Sequence, residues 1–280
     1  MKSIISILGI PIFRGQTKFG VKNAPSYFIN SGFNKLLKDN IYCDIKQLDI
    51  ENYNLIDSLT TVKNTIKKTK DNYDFNLFIG GDHSLSMATV SAMVKKDDDY
   101  VVLWIDAHTD CNTFETSPSN NLHGMPVSGL LGLLPEPYQK FESINKNQLM
   151  YLGIRSMDSG EVQFLEENKE FAISNRMLTM DQINKYSLEN KLEVIESFIK
   201  NKKIHISFDV DSLDPTLISS TGTPEDGGFD IDQINTLFDM LSNHNVVSMD
   251  VVEFNPHIGD FIKSYQHLSS ILSRFLNKLL

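Results

Sequence analysis

The sequence has few cysteines and lacks a long hydrophobic run. Two cysteines, Cys43 and Cys111, occur among 280 residues, which is too few for a disulfide framework and favours a reducing compartment, the cytoplasm. The apolar segment SIISILG near the N-terminus meets Gly9 and Pro11. We therefore expect a buried strand there, and neither a membrane span nor a leader peptide.

An excess of basic side chains is also absent. Twenty-six Lys and Arg residues stand against 36 Asp and Glu residues, which gives a net charge of −10 at pH 7. Because nucleic acids and anionic membranes repel such a surface, we expect neither as a partner. The acidic balance fits a small cationic substrate, but many cytosolic proteins are acidic for solubility alone, and we prefer that simpler explanation.

The sequence does contain material for a large core, with 41% hydrophobic and 22% charged residues. No repeat, low-complexity tract or Pro/Gly-rich linker divides it. We therefore predict a single domain over residues 1–280.

Short apolar segments rich in β-branched and aromatic residues alternate with amphipathic helical patterns. The predicted strands cover residues 3–9, 75–81, 101–107, 149–155, 204–211 and 246–254. Apolar stripes at helical spacing run over residues 55–66, 192–199, 231–241 and 268–280. This alternation predicts an α/β fold in which a parallel sheet carries helices on both faces.

Polar motifs follow four of the predicted strands. GGDH, DAHTD, DVD and EFNP each stand where an apolar segment ends. Ligands of parallel sheets bind beyond the carboxyl ends of the strands. We therefore expect these four motifs to meet at one edge of the sheet.

Acids and histidines in these motifs predict a metal site. In extended backbone, alternate residues project to one side, so that Asp106, His108 and Asp110 can face one point, as can Asp209 and Asp211. The predicted ligands are His83, Asp106, His108, Asp110, Asp209 and Asp211. Four carboxylates repel one another strongly unless cations lie between them, and two divalent ions balance their charge. Oxygen-rich sites with one imidazole per ion suit Mn²⁺ better than structural zinc, while Co²⁺ and Ni²⁺ stay open.

Each motif taken alone has a simpler interpretation. The DAHTD segment could form a surface turn, Asp82 or Ser84 could cap the next helix, and DVDSLDP could be an Asp-Pro turn. Their conjunction at one sheet edge favours the metal site. Cys111 is out of phase with the ligands and is predicted to be a packed, neutral thiol, and His205 to be a core histidine.

Six motifs resemble, in the same order, those of the arginase/agmatinase superfamily, the ureohydrolases. They are GGDHSLS, WIDAHTDCN, SPSNNLHGMP, SFDVDSLDP, TGTPEDGG and DVVEFNP. GQTKFGVKNAPSYF is also similar to the family's N-terminal loop and first helix, so the resemblance covers nearly the whole chain. It implies a three-layer α/β/α fold with a central parallel sheet, a binuclear Mn²⁺ centre and hydrolysis of a guanidinium group to urea.

The resemblance also implies how the ligands divide. One ion would be held by His83, Asp106, Asp110 and Asp209, and the other by Asp106, His108, Asp209 and Asp211. Asp106 and Asp209 would bridge the two. A hydroxide shared by the ions would then attack the guanidinium carbon.

Three residues are predicted to be catalytic: His123, Glu253 and Asp110. Glu253 matches the family's guanidinium-binding carboxylate, which can form a bidentate pair with the planar cation. His123 matches a histidine at the mouth of the site, where it could shuttle a proton or hydrogen-bond the substrate. Thr223 matches a threonine near the reacting guanidinium.

Two further segments predict recognition of an amino acid. Asp158 and Glu161 resemble the pair that contacts the α-amino group in arginases, although a capping pair at a helix start is the alternative. The predicted contacts of the loop that binds the α-carboxylate are Asn112, Ser117, Ser119 and Asn121. Asn120 stands where glycine is common in this loop, and asparagine tolerates left-handed backbone better than most residues.

We therefore predict hydrolysis of L-arginine to L-ornithine and urea. The nearest alternative is a ureohydrolase that acts on agmatine or another guanidino compound. A metal-binding family member without catalysis is the alternative from a different class. The resemblance further implies a homo-oligomer, a trimer or a hexamer.

Overall fold

Parallel β-strands form the centre of the molecule. The computed structural model describes residues 2–174 and 176–280, with the backbone alone at residues 172 and 173. Within these ranges the strands are β1 Ser3–Gly9, β2 Ile41–Gln47, β3 Phe75–Ile79, β4 Tyr100–Ile105, β5 Leu149–Ile154, β6 Met177–Thr179, β7 Lys203–Asp209 and β8 Val246–Val252. They form one sheet in the order β2-β1-β3-β8-β7-β4-β5-β6, and each neighbouring pair is parallel.

Helices connect these strands. They are α1 Ala24–Asn30, α2 Leu55–Thr69, α3 Ser86–Met93, α4 Pro126–Leu130, α5 Ser159–Glu167, α6 Glu170–Ile173, α7 Met180–Tyr186, α8 Glu189–Ile199, α9 Ile231–Leu241 and α10 Phe261–Leu279. The four apolar stripes of the sequence lie in α2, α8, α9 and α10, as predicted. Helix α10 starts earlier than its stripe because the Asp260 side chain caps it, accepting a hydrogen bond from the Lys263 amide at 3.1 Å.

The six predicted strands are present, although five of them end one or two residues earlier than predicted, and two edge strands were missed. Strand β2 lies at one edge of the sheet, where Tyr42 is 66% exposed. Strand β6, at the other edge, has only three residues. A strand with one free edge and an exposed face needs no continuous apolar run, and its sequence therefore carries a weak signal.

Two apolar layers separate the sheet from the helices. Leu103 faces one layer together with Leu237 of α9, and the next residue, Trp104, faces the other together with Leu59 of α2. Helices α8, α9 and α10 pack in the first layer, and α2, α3 and α4 in the second. The three-layer α/β/α prediction is confirmed.

Strand order brings the four polar motifs together. Strands β3, β8, β7 and β4 are consecutive neighbours in the middle of the sheet. Ile79, Val251, Phe208 and Ile105 are paired in one row across them, and each is the last or next-to-last residue of its strand. The polar residues that follow therefore emerge side by side at one edge.

The described residues also bear on the membrane prediction. No helix in the ranges 2–174 and 176–280 has both the length and the apolar character needed to cross a membrane. Cys43 and Cys111 are both free thiols.

Replacing Leu237 by Ala should lower the free energy of unfolding by about 2–5 kcal/mol, because the substitution leaves a cavity at a fully buried position. Leu133→Ala is the matched control, since Leu133 is 45% exposed and should change stability by about 0.5 kcal/mol or less. Urea unfolding followed by circular dichroism measures both. Equal losses would contradict the packing of α9 on the sheet.

Candidate metal centre and active site

Three carboxylates surround the imidazole of His83. Its Nδ1 atom lies 2.9 Å from Asp110 Oδ2, 3.1 Å from Asp106 Oδ2 and 3.1 Å from Asp209 Oδ2. The residues come from the ends of β3, β4 and β7. The structure thus gathers four of the six predicted ligands at one point.

The other two predicted ligands form a second group beside the first. His108 Nδ1 lies 3.2 Å from Asp211 Oδ2 and 3.5 Å from Asp106 Oδ1. Asp106 therefore presents one oxygen to each imidazole. Two sets of three residues are each compact enough for one ion and share this carboxylate: His83, Asp106 and Asp110, and Asp106, His108 and Asp211. Asp209 belongs to neither compact set.

Neighbouring groups orient the Asp106 carboxylate. Trp104 Nε1 donates to Asp106 Oδ2 at 3.0 Å, and the His108 amide donates to Oδ1 at 2.7 Å. The Trp104 indole also stacks on the His83 imidazole, with ring centroids 4.3 Å apart. These contacts orient both oxygens of Asp106 towards the two histidines.

Strand alternation does not explain why Asp106, His108 and Asp110 converge. The prediction that these residues lie in extended backbone was wrong. Strand β4 ends at Ile105, and Asp106, His108 and Asp110 lie in the irregular loop that follows. Asp110 has φ +50°, in the left-handed region. Turn geometry and hydrogen bonds to the backbone, rather than the pleat of a strand, point these side chains at one spot.

Electrostatics makes the cluster unfavourable without a cation. Burial and the charge of Asp106 raise the pKa of Asp110 to about 7, and burial and the charge of Asp211 raise the pKa of Asp209 well above its usual range. Nδ1 of His83 is buried without a well-directed hydrogen bond, although three carboxylates surround it. These donors fit divalent cations that the carboxylates and imidazoles share.

A chain of buried hydrogen bonds reaches the imidazole of His83 at Nε2, the ring nitrogen that does not face the carboxylates. His83 Nε2 lies 3.0 Å from Ser207 Oγ, which donates to Asp250 Oδ1 at 2.7 Å. His205 completes the chain, with Nε2 3.0 Å from Asp250 Oδ2 and Nδ1 2.7 Å from Ser248 Oγ. This arrangement directs His83 Nδ1 towards the carboxylates. His205 is a core histidine with two partners, as predicted.

A cavity of about 140 Å³ opens above the cluster. Six predicted substrate contacts line it: Asn112, Ser117, Ser119, Asp158, Glu161 and Thr223. His123 lines it as well, whereas Glu253 is not among the lining residues and is only 2% exposed. Cys111 is buried beside this region, and burial raises the pKa of its thiol well above the usual range, as expected for a packed neutral thiol.

Asp158 and Glu161 begin helix α5 as a capping pair. Asp158 Oδ1 accepts hydrogen bonds from the amides of Gly160 and Glu161 at 2.9 and 3.1 Å, and Glu161 Oε2 accepts one from the Asp158 amide at 3.0 Å. The capping alternative is therefore correct for these contacts. Both side chains also line the cavity, so capping fixes two carboxylates at its wall.

The loop predicted to bind a carboxylate is held by its own side chains. Ser117 Oγ accepts a hydrogen bond from the Asn120 amide at 3.1 Å, and Ser119 Oγ accepts one from the Asn121 amide at 3.2 Å. Asn120 has φ +55°, a left-handed conformation that asparagine tolerates. The loop therefore keeps its turn without a glycine at this position.

Glu253 occupies a strained position between loops. Its φ is +64°, and its Oε1 accepts the His83 amide at 2.9 Å and lies 3.1 Å from His123 Nδ1. Burial alone would lower the pKa of His123, but the hydrogen bond and charge of Glu253 raise it to about 9. The contact with Glu253 thus favours the protonated form of the His123 imidazole at the cavity wall.

Residues 3–268 match the model of the arginase family. The chain belongs to this family. It is 32% identical to an arginase of Staphylococcus aureus strain MRSA252, and the match covers 100% of this chain and 99% of that relative. Members are binuclear metal enzymes, in agreement with the two groups that share Asp106.

Solved structures agree with this membership. The arginase of Bacillus subtilis superposes with a TM-score of 0.88 at 28% identity, over 97% of this chain and 98% of that chain. The arginase of Entamoeba histolytica in complex with L-ornithine superposes with a TM-score of 0.87 at 27% identity, over 98% and 99%. The arginase-like fold is therefore present along nearly the whole chain.

One residue of this arginase-family site was not identified from the sequence. Arg155 follows β5, and its guanidinium donates five hydrogen bonds, as many as it has N–H groups. They reach the backbone carbonyls of Gly153, Asp211, Ser212, Glu225 and Asp226 at 2.6–3.3 Å. Arg155 therefore ties the loop of a predicted metal ligand to the loop that carries Thr223. The sequence signal that could have identified Arg155 is that it is a single basic residue in a segment next to acidic motifs.

Arg155→Lys should lower the free energy of unfolding by about 1–3 kcal/mol, because an ammonium has only three donors and leaves partly buried carbonyls without partners. Arg274→Lys is the matched control. Arg274 is 56% exposed in its ion pair with Asp239 and should contribute about 1 kcal/mol or less. Chemical denaturation of both variants tests this expectation, which equal stabilities would refute.

Proposed function

We propose that this chain hydrolyses L-arginine to L-ornithine and urea. The observation that carries the proposal is the pair of His/carboxylate groups that share Asp106 directly beneath a cavity lined by hydroxyl, amide and carboxylate groups. Its arginase relatives support the choice of substrate, and the Entamoeba relative is a complex with the proposed product.

We propose two Mn²⁺ ions as the cofactor, with Co²⁺ or Ni²⁺ as alternatives of similar ligand preference. The proposed ligand sets are His83, Asp106, Asp110 and Asp209 for one ion, and Asp106, His108, Asp209 and Asp211 for the other. Asp209 contacts His83 of the first set, and family resemblance alone adds it to the second. Bound divalent ions lower the pKa of water towards neutrality and so supply a hydroxide nucleophile. Thr223 supports the second set, since its hydroxyl donates to Asp211 Oδ2 at 3.0 Å.

Side chains of this protein would orient the substrate, supply a proton and orient the attacking water. Glu253 contacts the cavity-lining His123 and, by family resemblance, would present its carboxylate to the planar guanidinium and orient its carbon. His123, protonated through its contact with Glu253, donates a proton to the leaving amine. Asp110, at the cavity wall, orients the attacking water.

Recognition of the amino-acid end is assigned to the rim of the cavity. Asn112, Ser117 and Ser119 line the cavity and would hydrogen-bond the α-carboxylate, and Asp158 and Glu161 would attract the α-amino group. Asn121 belongs to the same loop but does not line the cavity, and its contact with the α-carboxylate is proposed from family resemblance alone. Asn112 and Asp158 already contact each other, since Asn112 Nδ2 donates to Asp158 Oδ2 at 2.8 Å. This hydrogen bond therefore joins the group proposed to bind the α-carboxylate to the group proposed to bind the α-amino end.

We further propose that residues 1–280 act as one catalytic domain, in the cytoplasm, within a homo-oligomer. The free thiols Cys43 and Cys111 support a reducing compartment. A trimer or a hexamer is proposed from family resemblance alone.

Urea release should be at least tenfold faster from L-arginine than from agmatine at equal concentration, because agmatine lacks the α-carboxylate. The measurement is a urea assay on purified protein loaded with Mn²⁺. Equal or faster release from agmatine would favour the alternative ureohydrolase. Release from neither substrate would favour a family member without catalysis.

Asp106→Ala should remove most of both metal ions, because one carboxylate faces both histidines, whereas Asp110→Ala should spare the ion beside His108. Metal per chain, measured by mass spectrometry after loading and desalting, tests the difference. Asp214→Ala is the control, since Asp214 caps a nearby turn through Thr216. Full metal content in Asp106→Ala would contradict its shared role.

A further inference from the structure

The N-terminal loop, residues 14–20, contacts the active-site motifs but has no role in the steps above. Gly15 N donates to Asp82 Oδ2 at 2.8 Å, and the His123 amide donates to Gly15 O at 3.1 Å. These partners lie in the loops after β3 and β4. The loop is thus fixed against the motifs that supply His83 and His123.

Gln16 extends from this loop to Glu253. Gln16 Nε2 donates to Glu253 Oε2 at 2.6 Å, across a separation of 237 residues in sequence. A Cβ atom on Gly222 would lie 3.4 Å from Gln16 Oε1 and 3.8 Å from Glu253 Oε2. Lys18 of the same loop donates to the carbonyl of Gly222. The amide, the carboxylate and the glycine backbone therefore form one packed group.

Glu253 is held on both of its oxygens. The His83 amide and His123 contact Oε1, and Gln16 contacts Oε2. With its backbone at φ +64°, Glu253 needs such contacts to keep one orientation. The carboxylate plane is therefore set by three groups from three separate loops.

A neutral amide suits this position for an electrostatic reason. A lysine or arginine in its place would pair with Glu253 and compete with a cationic substrate. A second carboxylate would repel Glu253 at this distance. The Gln16 carboxamide donates one hydrogen bond to Glu253 and leaves its negative charge for the substrate.

We propose that Gln16 is a positioning residue that sets the plane of the Glu253 carboxylate for the incoming guanidinium. This inference rests on the proposed role of Glu253 in arginine hydrolysis. Displacing a reacting group by about 1 Å can cost about 100-fold in rate, so one hydrogen bond can have a measurable kinetic effect.

Gln16→Met, which keeps the length of the side chain and removes the amide, tests the proposal. With Mn²⁺ and L-arginine we expect kcat/KM to fall by about 10- to 100-fold, at unchanged metal content and melting temperature. Thr17→Ala, an exposed position in the same loop, is the control and should keep full activity. Gln16→Glu should be at least as impaired as Gln16→Met, because it adds a like charge.

A double variant separates positioning from a structural role. If Gln16 acts through Glu253, then adding Gln16→Met to Glu253→Gln should lower the residual activity no further. An equal loss in both backgrounds would overturn the proposal, as would full activity of Gln16→Met, or a loss matched by lower melting temperature or metal content. If the unchanged protein releases no urea from L-arginine, the proposed function fails instead.

Discussion

Mutual repulsion among four buried carboxylates is the constraint on which the active site depends. Asp106, Asp110, Asp209 and Asp211 lie at one sheet edge, and His83 and His108 are the imidazoles that face them. The raised pKa values of Asp110 and Asp209 express the same conflict in the absence of a cation. Divalent cations would remove this repulsion. The negative charge of the four carboxylates, which destabilises the cluster by itself, is also what attracts the cations.

The surrounding structure holds these groups in place at a cost in backbone strain. Asp110 and Glu253 both adopt positive φ values, which non-glycine residues do only when their surroundings determine them strongly. Contacts between loops provide that determination, because the Val127 amide donates to Asp110 O at 3.0 Å and the Glu253 amide donates to Gly81 O at 2.8 Å. The strained residues thus lie in the loops that follow regular strands, and the same loops contain the candidate catalytic residues.

Much of this arrangement was predictable from local pattern. Continuous apolar runs identify the six inner strands because both faces of those strands are buried. The edge strands Ile41–Gln47 and Met177–Thr179 escape such a search, since exposure and shortness weaken the pattern. The convergence of Asp106, His108 and Asp110 was predicted for the wrong reason, because hydrogen bonds in an irregular loop, and not the pleat, orient them.

The sequence alone determined the fold class, the presence of the six inner strands and the identity of the six candidate ligands, because apolar periodicity and residue chemistry are local properties. Tertiary structure alone decided that Asp106 faces both histidines, that Arg155 joins several loops and that Gln16 contacts Glu253. Each of these contacts joins atoms from distant parts of the chain or depends on a loop conformation. Strand order and loop geometry set such distances, and neither is encoded in spacing along the chain.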